Sequence, residues 1–238
     1  MSIKKTIDIL DQYLVPDLIP IVLNFLKCPL HNREHDYYEH LSCPYQLQEF
    51  KFSSVIYGEI YLVIGKRGTG RTTFIRNAIS HIKEENSSLA MTLFKHNTYK
   101  VDTQIYNYKL SYLRPFLNDK TKRKMIILDS CFTKPIHKEF ALLFSGRNYQ
   151  SDTDYFITTN YPGLITPYTL KDSIRYLVVL KECYTMSKKR LYDNYLKSFF
   201  TNYGQFNVLM NNLKPFQALI FDMFMNNIYF YQLKNEKN

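Results

Sequence analysis

Apolar residues fall into two regimes along this chain. In residues 1–26, Ile7, Leu10, Leu14, Leu18, Val22 and Phe25 recur at spacings of three and four, the period of an amphipathic helix. Pro16 and Pro20 interrupt that stripe and predict a kink or two short helices in place of one rod. Residues 28–49 are polar and rich in His and Tyr, with no clear period. From Glu59 onward, short continuous apolar runs alternate with helical stretches. Residues 60–64, 89–94, 125–129, 155–159 and 175–181 read as strands, and residues 72–83, 110–117, 136–143 and 188–200 as helices. The final runs, 218–221 and 228–232, read as closing strands. The alternation predicts a three-layer α/β domain with a largely parallel sheet over residues 51–238. A small helical and His/Tyr-rich extension over residues 1–50 precedes it.

Composition narrows the class. The chain has 238 residues, 45% of them hydrophobic and 22% charged, which suits one large domain or a domain with an appendage. None of its apolar runs approaches the ~20 residues needed to cross a bilayer. The N-terminus begins with charge and soon meets Asp8, Asp11 and Asp17, which is unlike a secretory signal. Cys28, Cys43, Cys131 and Cys183 are therefore expected as free thiols in a reducing compartment. The net charge of +10 favours polyanionic partners. Its densest clusters, Lys120 with Lys122, Arg123 and Lys124, and Lys188 with Lys189 and Arg190, also read as ordinary solvated faces.

The candidate chemistry begins at residues 65–72. Gly65, Lys66, Arg67, Gly68, Thr69, Gly70, Arg71 and Thr72 keep the spacing of a phosphate-binding P-loop, with Arg71 in place of the usual Lys. Glycines let the backbone curl so that successive N–H groups face one cavity, and the following helix adds the positive end of its dipole. Thr72 would place a hydroxyl on Mg²⁺, and Thr73 continues the helix start. Arg71 keeps the charge, but its planar head is bulkier than an ammonium, so phosphate binding is expected to survive better than fast hydrolysis. A second element, the apolar run from Lys124 to Leu128, ends in Asp129, placed to help hold the same magnesium ion. Ser130 follows, where many ATPases of this class carry a water-polarising acid.

These motifs, together with Phe144-Ser145-Gly146-Arg147-Asn148-Tyr149, the strand leading to Thr158-Thr159-Asn160 and the loop Leu164-Ile165-Thr166-Pro167, resemble the genome-packaging ATPases of poxviruses and other large DNA viruses. These belong to the FtsK–HerA group of P-loop motors. The resemblance spans residues 59–222 and implies an FtsK–HerA-like P-loop fold that binds ATP and Mg²⁺. It implies double-stranded DNA as partner, a homo-oligomeric ring, and a place in the host cytoplasm (the viral factory) or the virion. It gives Asn160 the contact to the γ-phosphate or to water. Arg147 would act on a neighbouring subunit's nucleotide, or else is a surface Arg in a turn. Against the family pattern, Arg71 stands for Lys, Ser130 for the acid, Asn148 for His, Asn160 for Gln and Lys171 for Arg. The expected function is DNA translocation into the virion by a diverged packaging ATPase with impaired hydrolysis. The alternatives are a non-hydrolysing nucleotide-binding or structural derivative and a small-molecule P-loop kinase.

Two further signals lie in the extension. Leu14-Val15-Pro16-Asp17-Leu18 is similar to the opening of partner-docking F-box-like helices, and it equally fits a plain helical appendage. Cys28, His31, His35 and Cys43 are zinc-competent ligand types, but their order matches no zinc module.

Overall fold

The computed structural model describes residues 47–52, 58–85, 90–93, 103–104, 124–129, 153–161 and 172–234. The helices expected over residues 110–117 and 136–143, the N-terminal stripe and the candidate zinc ligands lie outside these residues, as do Ser130, Arg147, Asn148 and Lys171.

The described strands form one sheet: β1 (Gln48–Glu49), β2 (Ile60–Ile64), β3 (Ala90–Leu93), β4 (Thr103–Gln104), β5 (Lys124–Asp129), β6 (Thr153–Thr159), β7 (Tyr176–Leu180), β8 (Gln217–Asp222) and β9 (Asn227–Gln232). Their spatial order is β1-β9-β8-β7-β2-β6-β5-β3-β4. All pairings are parallel except those of β8, which runs antiparallel to both β7 and β9. The mostly parallel sheet with helices on its faces is the architecture expected from the alternating runs. Leu47, Phe50 and Phe52 are buried, so the sheet begins to recruit the chain before residue 51.

The central strands are continuous apolar runs because both of their faces are covered. Ile60, Leu62 and Ile64 of β2 join one core with Tyr155, Ile157, Leu177 and Val179. Tyr61 and Val63 point to the other, with Phe156 and Val178. That second core is capped by Phe74, Ile75 and Ala78 of helix α1 (Arg71–Glu85). The first is capped by α2 (Thr185–Leu191) and α3 (Tyr203–Asn212), through Leu191, Phe206, Leu209 and Met210. Each such fully buried aliphatic or aromatic side chain contributes about 1.5–3 kcal/mol. Across β7, β2 and β6, the rings of Tyr176, Tyr61 and Phe156 stack in register, at centroid distances of 5.0 and 4.3 Å. These cross-strand pairs help fix which strands flank β2.

The helix expected over residues 188–200 is different in the structure. It starts at Thr185, continues beyond Leu191 as a π-helical turn over Tyr192–Leu196, and closes in a turn that leaves Phe199 and Phe200 buried. The wider turn lets Leu191, Tyr195, Leu196, Phe199 and Phe200 all reach one core, which a uniform short-sided helix serves less well. Lys188 also leaves the solvated cluster: it is buried, and its Nζ donates to Asn211 Oδ1 at 2.7 Å. Helix α3 is an element the apolar-run reading passed over. Its signal was present in the cap: Asn202 accepts from Gln205 N at 3.1 Å, while Gln205 accepts from Thr201 N at 3.0 Å.

At the end of the sheet where β2 begins, Asp154 anchors the chain's entry. Its Oδ1 accepts the backbone N–H groups of Gly58 (2.9 Å) and Glu59 (3.1 Å), and its side chain is 1% exposed. Burial, followed by the partly opposing field of Arg175, pushes the neighbouring Glu59 carboxyl up. Asp154→Ala would orphan two backbone donors, so it is expected to lower unfolding free energy by at least about 2 kcal/mol. Urea denaturation checks this; an unchanged midpoint would show that β2 is anchored by other means.

Candidate nucleotide-binding site

The parallel strands bring their carboxyl ends to one edge of the sheet, where ligands of open α/β sheets bind. The antiparallel course of β8 carries the start of that strand to the same edge, and β9 ends there. Gly65, Asp129, Asn160, Glu182, Phe216 and Leu233 are thereby drawn to one rim, although they are scattered over 169 positions of sequence between Gly65 and Leu233.

The loop between β2 and α1 has the build of a phosphate cradle. Gly65 N donates to Thr159 O at 3.1 Å, tying the loop's first residue to β6. Thr69 folds back on Lys66 O through both its backbone N–H (3.3 Å) and its hydroxyl (2.8 Å). Phe74 N donates to Gly70 O at 2.8 Å as α1 begins. Gly68 and Gly70 take φ of +84° and +108°, a region that L side chains rarely adopt. Gly65 has a second reason to be glycine: a Cβ there would lie 2.7 Å from Leu180 Cδ1. At Gly68 a Cβ would meet nothing within 4 Å among the described residues.

Three side-chain arrangements hold this loop, and none was legible in the motif. Asn77 of α1 is stapled to the end of β9: its Nδ2 donates to Lys234 O at 2.9 Å, and its Oδ1 accepts from Lys234 N at 3.0 Å. Phe216 and Leu233, joined by Leu233 N donating to Phe216 O at 3.0 Å, form the wall against which Gly70 packs. On the other flank, Lys66 Nζ lies 3.1 Å from Glu182 Oε1. Glu182 and Phe216 become neighbours of the loop through strand order, which no local signature carries.

Asp129 ends β5 directly opposite Thr158 of β6, and the Thr158 hydroxyl donates to Asp129 Oδ1 at 2.5 Å. Two residues beyond Thr158, Asn160 follows β6 with its Oδ1 buried and without a hydrogen-bond partner among the described residues. Such an acceptor is costly unless a ligand or water supplies a proton donor. The structure thus puts Gly65, Lys66, Arg67, Gly68, Thr69, Gly70, Arg71, Thr72 and Thr73 in one loop–helix unit after β2, with Asp129 two strands away and Asn160 just past the end of the strand between. Among the described residues, no group of three His, Cys, Asp or Glu side chains gathers as a self-sufficient metal site, and no helix is long and apolar enough to cross a membrane.

The fold defined by this sheet and loop is that of a P-loop NTPase, and it resembles viral genome-packaging ATPases. It matches the DNA-packaging ATPase B204 of Sulfolobus turreted icosahedral virus with a TM-score of 0.59 and 10% identity, over 76% of this chain and 100% of that one. The genome-packaging NTPase B204 of Sulfolobus turreted icosahedral virus 2, solved in complex with ATPγS, gives 0.59 at 9% identity, over 75% of this chain and 98% of that one. The pCW3 conjugation coupling protein TcpA matches at 0.51 and 10% identity, over 74% of this chain and 60% of that one. In sequence, an uncharacterised protein of Acanthamoeba polyphaga mimivirus is 23% identical over 186 residues, 65% of this chain and 63% of that protein's length. No protein-family model matches the chain.

Proposed function

We propose that this chain is a viral packaging-ATPase-like protein that binds Mg–ATP at residues 65–72 and acts on double-stranded DNA as part of a homo-oligomeric ring. The observation that carries the reading is the juxtaposition, on the same sheet edge, of a glycine-curled loop with Asp129 and with an Asn160 acceptor that has no partner among the described residues. The loop's backbone N–H groups and the start of α1 would bind the phosphates. Thr72 and Asp129 would hold magnesium, which when bound neutralises charge on the phosphate oxygens. Thr158 orients the Asp129 carboxylate through its hydroxyl. Asn160 Oδ1 would accept a hydrogen bond from water near the terminal phosphate, and Arg147 would reach a neighbouring subunit's nucleotide. The fold likeness to proteins described as DNA-packaging ATPases and the +10 charge support DNA as the partner.

A non-hydrolysing derivative is the second reading, favoured by Arg71 and Ser130 standing where the family carries Lys and an acid. Turnover measured with and without duplex DNA separates the two. The packaging reading expects DNA to raise ATP hydrolysis and to bind without sequence preference, with affinity falling steeply as salt rises. Nucleotide binding without turnover at any DNA concentration selects the derivative. Absence of DNA binding at low salt removes the packaging reading.

A further inference from the structure

The segment after β7 grips the phosphate loop from the side. Lys66 Nζ lies 3.1 Å from Glu182 Oε1 and 3.1 Å from the centre of the Tyr184 ring. The same carboxylate oxygen accepts the backbone N–H of Tyr184 at 2.9 Å. One carboxylate therefore holds both a cation of the loop and the ring that lies against that cation. The Glu182 side chain is 7% exposed, against 32% for Lys66, so the anion of this pair is sheltered from solvent screening. Tyr184 adds a cation–π contact from a position that is itself 64% exposed. The grip shares a wall with the cradle, because Gly65 packs on Leu180, two residues before Glu182.

A phosphate cradle made of backbone N–H groups and a helix start has no need of this arrangement. Its consequence is a competition. Lys66 is part of the loop, so its ammonium is a counter-charge for which Glu182 and a phosphate seated in the loop would compete. A nucleoside triphosphate brings more negative charge, on an additional phosphoryl group, than a diphosphate does. We infer that Glu182, with Tyr184, sets the discrimination between nucleoside triphosphate and diphosphate by competing with the terminal phosphate for Lys66. The inference rests on residues 65–72 being the phosphate site. Glu182 acts through Lys66 and is a positioning residue.

The test is calorimetric binding of Mg–ATPγS and Mg–ADP to the full chain and its variants, with thermal melts as a check of folding. Glu182→Gln keeps the shape and an acceptor for Tyr184 N–H while removing the charge. It is expected to tighten ATPγS about 5-fold and leave ADP within about twofold, the scale of a partly exposed ion pair. Lys66→Met is expected to weaken ATPγS about 10-fold and ADP less than about threefold. Glu182→Gln placed on Lys66→Met should then have no further effect. Should Glu182→Gln melt early, Tyr184→Ala takes its place, with the same sign and about a twofold effect. Equal shifts for both nucleotides, a loss of ATPγS affinity in Glu182→Gln, or an effect that persists without Lys66 would overturn the inference. A wild-type chain that is folded but binds neither nucleotide would instead overturn the phosphate-site reading, and the baseline titration alone shows which has failed.

Discussion

Gly70→Val is expected to remove nucleotide binding, lowering affinity by more than about 100-fold, or roughly 2.7 kcal/mol. Two independent effects converge at this position. The backbone of Gly70 sits at φ +108°, where a β-branched residue is strained by about 1–3 kcal/mol. A Cβ there would also stand 2.8 Å from Leu233 Cδ2 and 3.3 Å from Phe216 Cδ1. Relief shifts either the packed Leu233 methyl or the loop itself off the wall formed by Phe216 and Leu233, and together with the strained φ the loop movement turns its N–H groups away from a common centre. Overpacking adds about 1–3 kcal/mol of lost stability, so a lower melting temperature accompanies the loss of binding. Thr72→Ala separates the two effects, because it lacks the clash: it is expected to keep the melting temperature and weaken Mg-dependent binding about 10-fold. Calorimetry on both variants is the check. A Gly70→Val chain that still binds ATP within about threefold of wild type would show that the phosphates do not sit in this loop.

Introducing the residues that the packaging-ATPase pattern carries at two positions is expected to raise turnover. Arg71→Lys combined with Ser130→Glu should raise ATP hydrolysis at least about 10-fold, or 1.4 kcal/mol in the barrier. A carboxylate beside Asp129 would polarise the attacking water, and a compact ammonium would follow the charge that develops on the phosphoryl oxygens. Asp129→Ala is the complementary measurement. It removes the carboxylate that Thr158 orients at 2.5 Å and is expected to abolish whatever turnover exists. A wild-type chain that already works at motor-like rates, and is slowed by the double change, would show a site re-optimised around Arg71.

The site was legible in unequal parts. The strand–turn–helix conformation of residues 65–72 could be read directly because such a glycine-rich turn is a local device, set by the backbone conformation of eight consecutive residues. The motif marked a glycine at Gly65, but the reason that position must stay small is Leu180, which arrives from 115 residues away. Asp129 was legible as the end of an apolar run; the hydroxyl that orients it comes from a strand paired in register, which no local pattern encodes. Arg147, the candidate zinc ligands Cys28, His31, His35 and Cys43, and the division of the chain at residue 50 rest on the sequence alone.

What the sequence by itself determined is the set of central strands and the glycine-curled turn between β2 and α1. β2, β5 and β7 are buried on both faces, so their hydrophobic demand is written as continuous apolar runs, and β6 shows the same in its centre at Tyr155–Ile157. Tertiary structure alone decided the order β7-β2-β6-β5, the reversal of β8 that places Phe216 and Leu233 beside Gly70, and the meeting of Lys66 with Glu182. It also decided the π turn at Tyr192–Leu196, where packing of five large side chains overrides the regular helical period. The division has one physical cause. Burial of a strand and curling of a glycine loop are demands that neighbouring residues satisfy together, whereas strand order and rim contacts depend on which distant surfaces fit, through ring stacking, register and charge pairing between segments the chain separates widely.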